Sequence, residues 1–163
     1  MAKSFRIMAA MALTALAAQG AAAADNPLAR GFFGEPAANA PLDGTWNGTD
    51  LEKRSACTHP ENEGNRGTYA QFDITTNDAT GYMVIQQTGI TGLQCTYSGI
   101  ATGTGDARSW TGSYYCSTDG KHGTFTSRSI LVTPNALAIH LDAKLDTTET
   151  CTIEAVIAGG RIP

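Results

Sequence analysis

Short runs of alternating apolar and polar residues follow one another from Gly44 to the end of the chain. Thr, Tyr, Val and Ile recur in these runs, and Gly, Asn, Asp and Pro separate them. No window keeps the periodicity of an amphipathic helix, so the pattern predicts an antiparallel meander of strands. Eight strands are predicted, over residues 44–52, 66–76, 81–88, 92–102, 108–117, 122–133, 136–145 and 149–158.

The turn between the fourth and fifth predicted strands implies a register. A hairpin centred on Gly105-Asp106 brings Cys95 opposite Cys116. Cysteines directly across a hairpin can have β-carbons close enough to form a disulfide. The same register places Tyr97 opposite Tyr114, Gly99 opposite Gly112 and Ala101 opposite Trp110.

The other two cysteines bear on how the sheet ends. Cys57 follows the first predicted strand and Cys151 begins the eighth, and they pair by elimination. If the first and last strands lie antiparallel and adjacent, the end of one lies beside the start of the other, and this bridge then joins them into a closed barrel. Closure also removes the exposed edges of an open sheet. The sequence therefore predicts an all-β, eight-stranded antiparallel up-and-down barrel with two disulfides, in preference to a sandwich.

The hairpin between the sixth and seventh strands depends on loop length. A two-residue turn at Pro134-Asn135 would set apolar side chains against polar ones, because a one-residue slip reverses a strand's faces. We therefore predict a three-residue loop over 133–135, which also sets Arg128 beside His140 on the outer face. This loop brings together Phe125, Leu131, Leu137, Ile139, Leu141 and Leu145.

The first 24 residues have the order of a secretory signal peptide. Lys3 and Arg6 precede an apolar run, and Ala22-Ala23-Ala24 stands before Asp25, which predicts cleavage after Ala24. No stretch reaches the roughly 20 apolar residues of a membrane-spanning helix, so we expect a periplasmic or secreted protein without membrane insertion. The sequence thus predicts a signal peptide over 1–24, a flexible linker over 25–42 and one β-barrel domain over 43–163.

Charge and motifs exclude several classes of function. The net charge is −4, and without Lys3 and Arg6 it is −6. Nucleic acid is therefore not an expected partner, because phosphate binding needs clustered Lys and Arg. The chain has no paired CxxC, no metal-ligand His spacing, no Gly-x-Ser-x-Gly elbow and no phosphate-binding glycine loop. We expect no metal, no cofactor and no catalytic residue, and hence a protein that is not an enzyme.

Gly44-Thr45-Trp46 opens the first predicted strand, and this start resembles the Gly-x-Trp motif of the calycin superfamily, the lipocalins and avidins. Residues 109–114 are similar to the Trp-Ser-Gly-Gln-Tyr strand of bacterial avidins. The resemblance implies that Trp46 packs across the closed end of the barrel. Lipocalins usually place a late basic residue on that Trp, and Arg161 is the late candidate here. Avidins surround biotin with several Trp residues, whereas this chain has two Trp, so no biotin pocket is expected.

An aromatic cluster is the candidate binding site. Gly99 and Gly112 face each other on the predicted inner face of the fourth and fifth strands, which predicts a gap suited to a small apolar or amphipathic molecule. The alternative is that the side chains simply fill a small barrel. The candidate ligand-binding residues are Tyr97, Trp110, Tyr114 and Trp46.

The sequence also allows a second function, the binding of another protein. The long connection from Lys53 to Arg66, tethered through Cys57, could present a binding loop to an envelope protein, for instance as an inhibitor of an envelope hydrolase.

Overall fold

Eight strands, each hydrogen-bonded to the next along the chain and the last to the first, form a closed antiparallel barrel. The computed structural model describes residues 42–103 and 108–163. A three-residue 3-10 helix, Pro60–Asn62, lies between the first two strands. The strands are β1 (Gly44–Ser55), β2 (Gly64–Asn77), β3 (Tyr82–Gly89), β4 (Gln94–Thr102), β5 (Ser109–Cys116), β6 (His122–Val132), β7 (Ala136–Asp146) and β8 (Thr150–Arg161).

The predicted fold class is confirmed, and each predicted strand corresponds to one observed strand with bounds that differ by at most three residues. The predicted turn at Gly105-Asp106 lies outside the described residues, as do the predicted signal peptide and the predicted linker up to residue 41. In the part of the chain that the structure describes, no helix is long and apolar enough to span a membrane.

Both predicted disulfides are confirmed. Cys95 lies opposite Cys116 in the β4–β5 ladder and is bonded to it. Cys57, just after β1, is bonded to Cys151 in β8. The register predicted for the β4–β5 hairpin is also confirmed, since Tyr97 pairs with Tyr114, Gly99 with Gly112 and Ala101 with Trp110.

The predicted register of the β6–β7 hairpin is wrong near its turn. Val132 pairs with Leu137, and a bulge between Ser127 and Ser129 shifts the ladder by one residue. A bulge changes which side chains face inward. Ile130 and Val132 are therefore buried while Leu131 is half-buried, and His140 pairs with Ser129 rather than Arg128. Below the bulge Phe125 faces inward, as predicted.

The end of the barrel at the start of β1 is closed by packed side chains. Trp46 is fully buried, and its indole N–H donates to the carbonyl oxygen of Leu42 at 3.0 Å. The guanidinium of Arg161 lies 4.1 Å from the centroid of the Trp46 ring and donates to the carbonyl oxygens of Asp43 and Pro134. The stacking of Arg161 on Trp46 that the calycin resemblance implies is thus present.

Candidate functional site: a cavity at the open end of the barrel

A cavity of about 60 Å³ lies inside the barrel at the end opposite Trp46. The second half of β1 and the adjoining parts of β3, β4, β5, β7 and β8 form its walls. Asp50, 3% exposed, and Gln87, 1% exposed, are its most deeply buried polar residues. The other lining residues are Glu52, Arg54, Leu93, Cys95, Tyr97, Tyr114, Cys116, Asp119, Lys121, Leu141, Ala143, Leu145, Ile153 and Ala155.

Strand alternation explains why β1 gives the cavity a polar wall. Side chains two residues apart face the same side of a strand, so Asp50, Glu52 and Arg54 share the inner face with Trp46. The inner face of β1 therefore changes from apolar at the closed end to charged at the open end. Gln87 likewise follows Ile85 on the inner face of β3.

A chain of hydrogen bonds links three buried polar side chains in this cavity. The hydroxyl of Tyr97 donates to Oε1 of Gln87 at 3.1 Å, and Nε2 of Gln87 donates to Oδ2 of Asp50 at 2.9 Å. Among the described residues, Oδ1 of Asp50 and the hydroxyl of Tyr114 have no hydrogen-bond partner although both atoms are buried. Buried polar atoms are paired in most proteins, so these two atoms are exceptions whose hydrogen-bonding capacity is unused within the described residues.

Burial controls the ionisation of these groups. Burial, reinforced by the nearby charge of Glu52, raises the pKa of Asp50 to about 7, although the bond from Gln87 and the charge of Arg54 act in the opposite direction. Burial also raises the pKa of Tyr114 to about 12 and that of Tyr97 well above its ordinary value. Both phenols are therefore neutral at pH 7, while Asp50 is partly ionised.

The charged side chains at the outer part of the cavity are paired with each other. Arg54 donates through Nε and Nη2 to the carboxylate of Glu52, at 2.8 and 2.6 Å. Lys121 pairs with Asp119 at 2.6 Å. The mouth thus carries two ion pairs of balanced charge, and Arg54 is directed to Glu52 rather than to Asp50.

The opposite wall of the cavity is apolar. It consists of Leu141, Ala143 and Leu145 of β7 together with Ile153 and Ala155 of β8. The cavity is therefore amphipathic, with hydrogen-bonding groups on β1, β3, β4 and β5 facing aliphatic side chains on β7 and β8.

The four predicted ligand-binding residues separate into two pairs. Tyr97 and Tyr114 line the cavity with their rings stacked at a centroid distance of 5.6 Å. Trp46 and Trp110 are fully buried and do not line it. Trp46 belongs to the closed end, and Trp110 packs on Phe125 at a centroid distance of 4.2 Å.

The two glycines between which a gap was expected lie against the backbone of the neighbouring strand. A Cβ built at Gly112 would lie 2.0 Å from the carbonyl oxygen of Ser98, and one at Gly99 would lie 2.1 Å from that of Thr111. The glycines thus allow β4 and β5 to approach closely. The ring of Phe125, whose backbone pairs with Gly112, packs on this inner face.

Sequence reasoning missed Asp50 and Gln87, which supply the most deeply buried polar atoms of the cavity. A signal was available, because the alternation of β1 and β3 already places them on the faces of Trp46 and Ile85. The described residues contain one cluster with metal-ligand spacing, Cys57, Glu149 and Cys151. Its two sulfurs form a disulfide, so thiolate ligands are not available there.

The connection between β1 and β2 is fixed to the start of β8. Besides the Cys57 disulfide, the backbone N–H of Thr58 donates to the carbonyl oxygen of Thr150 at 2.9 Å. The imidazole Nδ1 of His59 contacts the carboxylate of Glu149, and this contact raises the pKa of His59.

Comparison of the chain with protein families, with curated proteins and with solved structures finds no match.

Proposed function

We propose that this protein is an exported, non-enzymatic, calycin-like binding protein that holds a small amphipathic molecule in the open end of its barrel. The observation that carries the proposal is the cavity itself, in which an aliphatic wall faces the unpaired polar atoms of Asp50 and Tyr114. Pockets that bind small molecules combine mostly apolar walls with a few placed polar groups.

The size of the cavity restricts how a ligand enters. An engineered protein cavity of about 150 Å³ accommodates benzene. A cavity of about 60 Å³ therefore accommodates roughly two or three non-hydrogen atoms. The ligand enters end-first with its polar group beside Asp50, and the rest of it extends to the mouth at Glu52 and Lys121.

The export part of the proposal rests on the signal-like first 24 residues and on the two disulfides. Disulfides persist in oxidising compartments and are rare in reducing ones. Cleavage after Ala24 is expected, and the mass of the protein recovered from outside the cytoplasm checks it.

Ligand binding is tested by NMR titration of the processed protein with alcohols, amines and carboxylic acids of four to six carbons. At least one class should shift the backbone amides of Gln87, Tyr97 and Tyr114 while the indole N–H of Trp46 stays in place. Ala143→Leu adds volume inside the cavity and should lower the affinity at least tenfold. Ala79→Leu makes the same change at an exposed turn and should leave the affinity unchanged.

Two results would contradict the proposal. One is a set of compounds that leaves the cavity amides unshifted. The other is an affinity that neither Ala143→Leu nor Ala155→Val lowers. Ala155→Val adds a smaller side chain on the neighbouring strand, and it serves as the test if the protein does not fold with leucine at position 143.

The anchored β1–β2 connection supports a second candidate, a module that binds an envelope protein. Its tether to Thr150 and Glu149 holds the exposed residues Pro60 and Glu61 in place, and a rigid loop loses little entropy on binding. Such a partner would bind Ala143→Leu normally and lose binding on deletion of residues 61–65. A deletion without effect on every co-purified protein rules this candidate out.

A further inference from the structure

We propose that the ligand of the open-end cavity is a primary amine with an apolar stem, and that its ammonium group is received by the carboxylate of Asp50. The inference deepens the proposed function and rests on it, because it names the chemistry of the molecule that the cavity binds.

Asp50 has no ion-pair partner among the described residues. Its side chain is almost completely buried, and only one of its oxygens is hydrogen-bonded, to the neutral amide of Gln87. The nearest guanidinium, on Arg54, is bonded to Glu52 instead. A buried carboxylate without a cation is costly, and a cation that enters the cavity removes this cost.

The hydrogen-bonding groups match an ammonium better than an anion. A primary ammonium has three N–H donors and no acceptor. Two residues of the cavity wall carry acceptor oxygens without a hydrogen-bond partner, Oδ1 of Asp50 and the hydroxyl oxygen of Tyr114. The stacked rings of Tyr97 and Tyr114 add π-faces, which attract cations. A carboxylate ligand would instead meet the like charge of ionised Asp50, because Glu52 is already paired with Arg54.

The volume of the cavity selects a primary ammonium over a quaternary one. About 60 Å³ accommodates a terminal aminomethyl group, whereas a trimethylammonium group is larger and has no N–H to donate. The aliphatic wall of Leu141, Leu145 and Ile153 then contacts the stem of the amine.

Binding should tighten as pH rises through neutrality. The titratable groups that face the cavity are Asp50, Glu52 and Arg54 of β1, Tyr97 of β4, Tyr114 of β5, and Asp119 and Lys121 of the β5–β6 turn. The residues of β7 and β8 in its wall are all apolar. Asp50 titrates near pH 7, so at pH 5.5 an ammonium must displace a proton from it, whereas at pH 8 the carboxylate is already ionised.

The test is an NMR titration of the processed protein with n-pentylamine, 1-pentanol, pentanoate and trimethylpentylammonium. At pH 8 the amine should bind at least tenfold more tightly than the other three compounds, and at least tenfold more tightly than it does at pH 5.5. Asp50→Asn should lower amine affinity at least tenfold and leave pentanol affinity within threefold. The matched control Asp146→Asn removes an exposed carboxylate at the same end of the barrel and should leave both affinities unchanged.

The outcomes distinguish the inference that the ligand is an amine from the proposal that the cavity binds a small molecule. Equal affinities for amine and alcohol, tighter binding of pentanoate, or an amine affinity unaffected by Asp50→Asn overturns the inference and leaves the binding function standing. Absence of cavity shifts with all four compounds overturns both. If Asp50→Asn does not fold, the pH dependence of the wild-type protein decides, and an affinity that is equal at pH 5.5 and pH 8 overturns the inference.

Discussion

Asp50 is a residue whose placement opposes folding. Its pKa is about 7 in the folded barrel, against an ordinary value of 3.8 for an aspartate in water. The folded state therefore retains a proton over a pH range in which the unfolded chain has already lost it, and stability falls as pH rises from about 4 to about 7. Above pH 7 the penalty is constant. A cost of this kind is typical of a functional residue.

Asp50→Asn is expected to stabilise the protein in a pH-dependent way. At pH 8 the variant should exceed the wild type by roughly 2–4 kcal/mol in free energy of unfolding, since each pKa unit corresponds to about 1.4 kcal/mol. At pH 4 the two should be equal, because the wild-type carboxyl is then protonated. Urea unfolding at several pH values measures the difference.

The exposed control Asp146→Asn should change stability little at either pH. A wild type as stable as Asp50→Asn at pH 8 would mean that the carboxylate has found a cation within the protein, and the raised pKa would be wrong.

At the scale of residues, two of the four ligand-binding residues predicted from the sequence line the cavity. The β4–β5 register predicts that Tyr97 and Tyr114 lie opposite each other on the inner face, and both line the cavity. Alternation alone does not distinguish an inward residue that lines a cavity from one that is packed solid. Alternation therefore groups Trp110 with the two tyrosines, although Trp110 packs against Phe125.

At the scale of strands, the barrel closes where β1 pairs with β8, and this β1–β8 seam requires the two backbones to approach each other closely. Gly48 pairs with Gly159, and a Cβ at Gly48 would lie 1.8 Å from the carbonyl oxygen of Ala158. The obstructing atom belongs to the backbone, so the seam itself would have to move.

Gly48→Ala should therefore destabilise the barrel by about 3 kcal/mol or more, the range of a severe steric change. Gly160→Ala is the matched control in β8, where the nearest non-neighbouring atom, the carbonyl oxygen of Asn135, would lie 3.7 Å from the new Cβ. Both substitutions reduce the freedom of the unfolded chain equally, and at Gly160 nothing offsets that effect, so the control should stabilise the protein by roughly 0.4–1 kcal/mol. Urea unfolding followed by Trp fluorescence compares them, and equal effects would contradict the seam geometry.

Hairpin registers differ in how far a sequence determines them. In β4–β5 the paired cysteines, tyrosines and glycines all agree on one alignment, and that alignment is correct. In β6–β7 no single register buries both Phe125 and Ile130. The two residues are five positions apart, and a regular strand without a bulge places such residues on opposite faces. The bulge at Arg128 resolves this conflict. A bulge position is set by contacts on both sides of the strand, which one sequence does not reveal.

On the scale of the whole molecule, the two ends of the barrel are held by different means. Leu42, Trp46 and Arg161 seal one end by packing and hydrogen bonds. The other end is constrained by both disulfides and keeps its interior partly open. Barrel closure could be predicted because a bridge from the end of the first strand to the start of the eighth fits two adjacent antiparallel strands, and closure leaves no exposed edge.

The two disulfides should differ in what their removal changes. Cys57 and Cys151 are 94 residues apart and Cys95 and Cys116 are 21 apart. On a chain-entropy estimate, replacing the first pair by alanine costs about 4–5 kcal/mol of stability and replacing the second about 3 kcal/mol. Urea unfolding of the two double variants measures this order, and the reverse order would mean that native-state contacts outweigh loop entropy.

Ligand affinity should follow the opposite order. The Cys95–Cys116 bridge forms part of the cavity wall, whereas Cys57 and Cys151 do not line the cavity. Loss of the wall bridge leaves space beside Tyr97 and Tyr114 and should weaken n-pentylamine binding at pH 8 severalfold. Loss of the longer-range bridge should leave the affinity of the folded fraction unchanged. A variant lacking Cys57 and Cys151 that binds more weakly than one lacking Cys95 and Cys116 would place the ligand nearer the β1–β8 seam than the cavity described above.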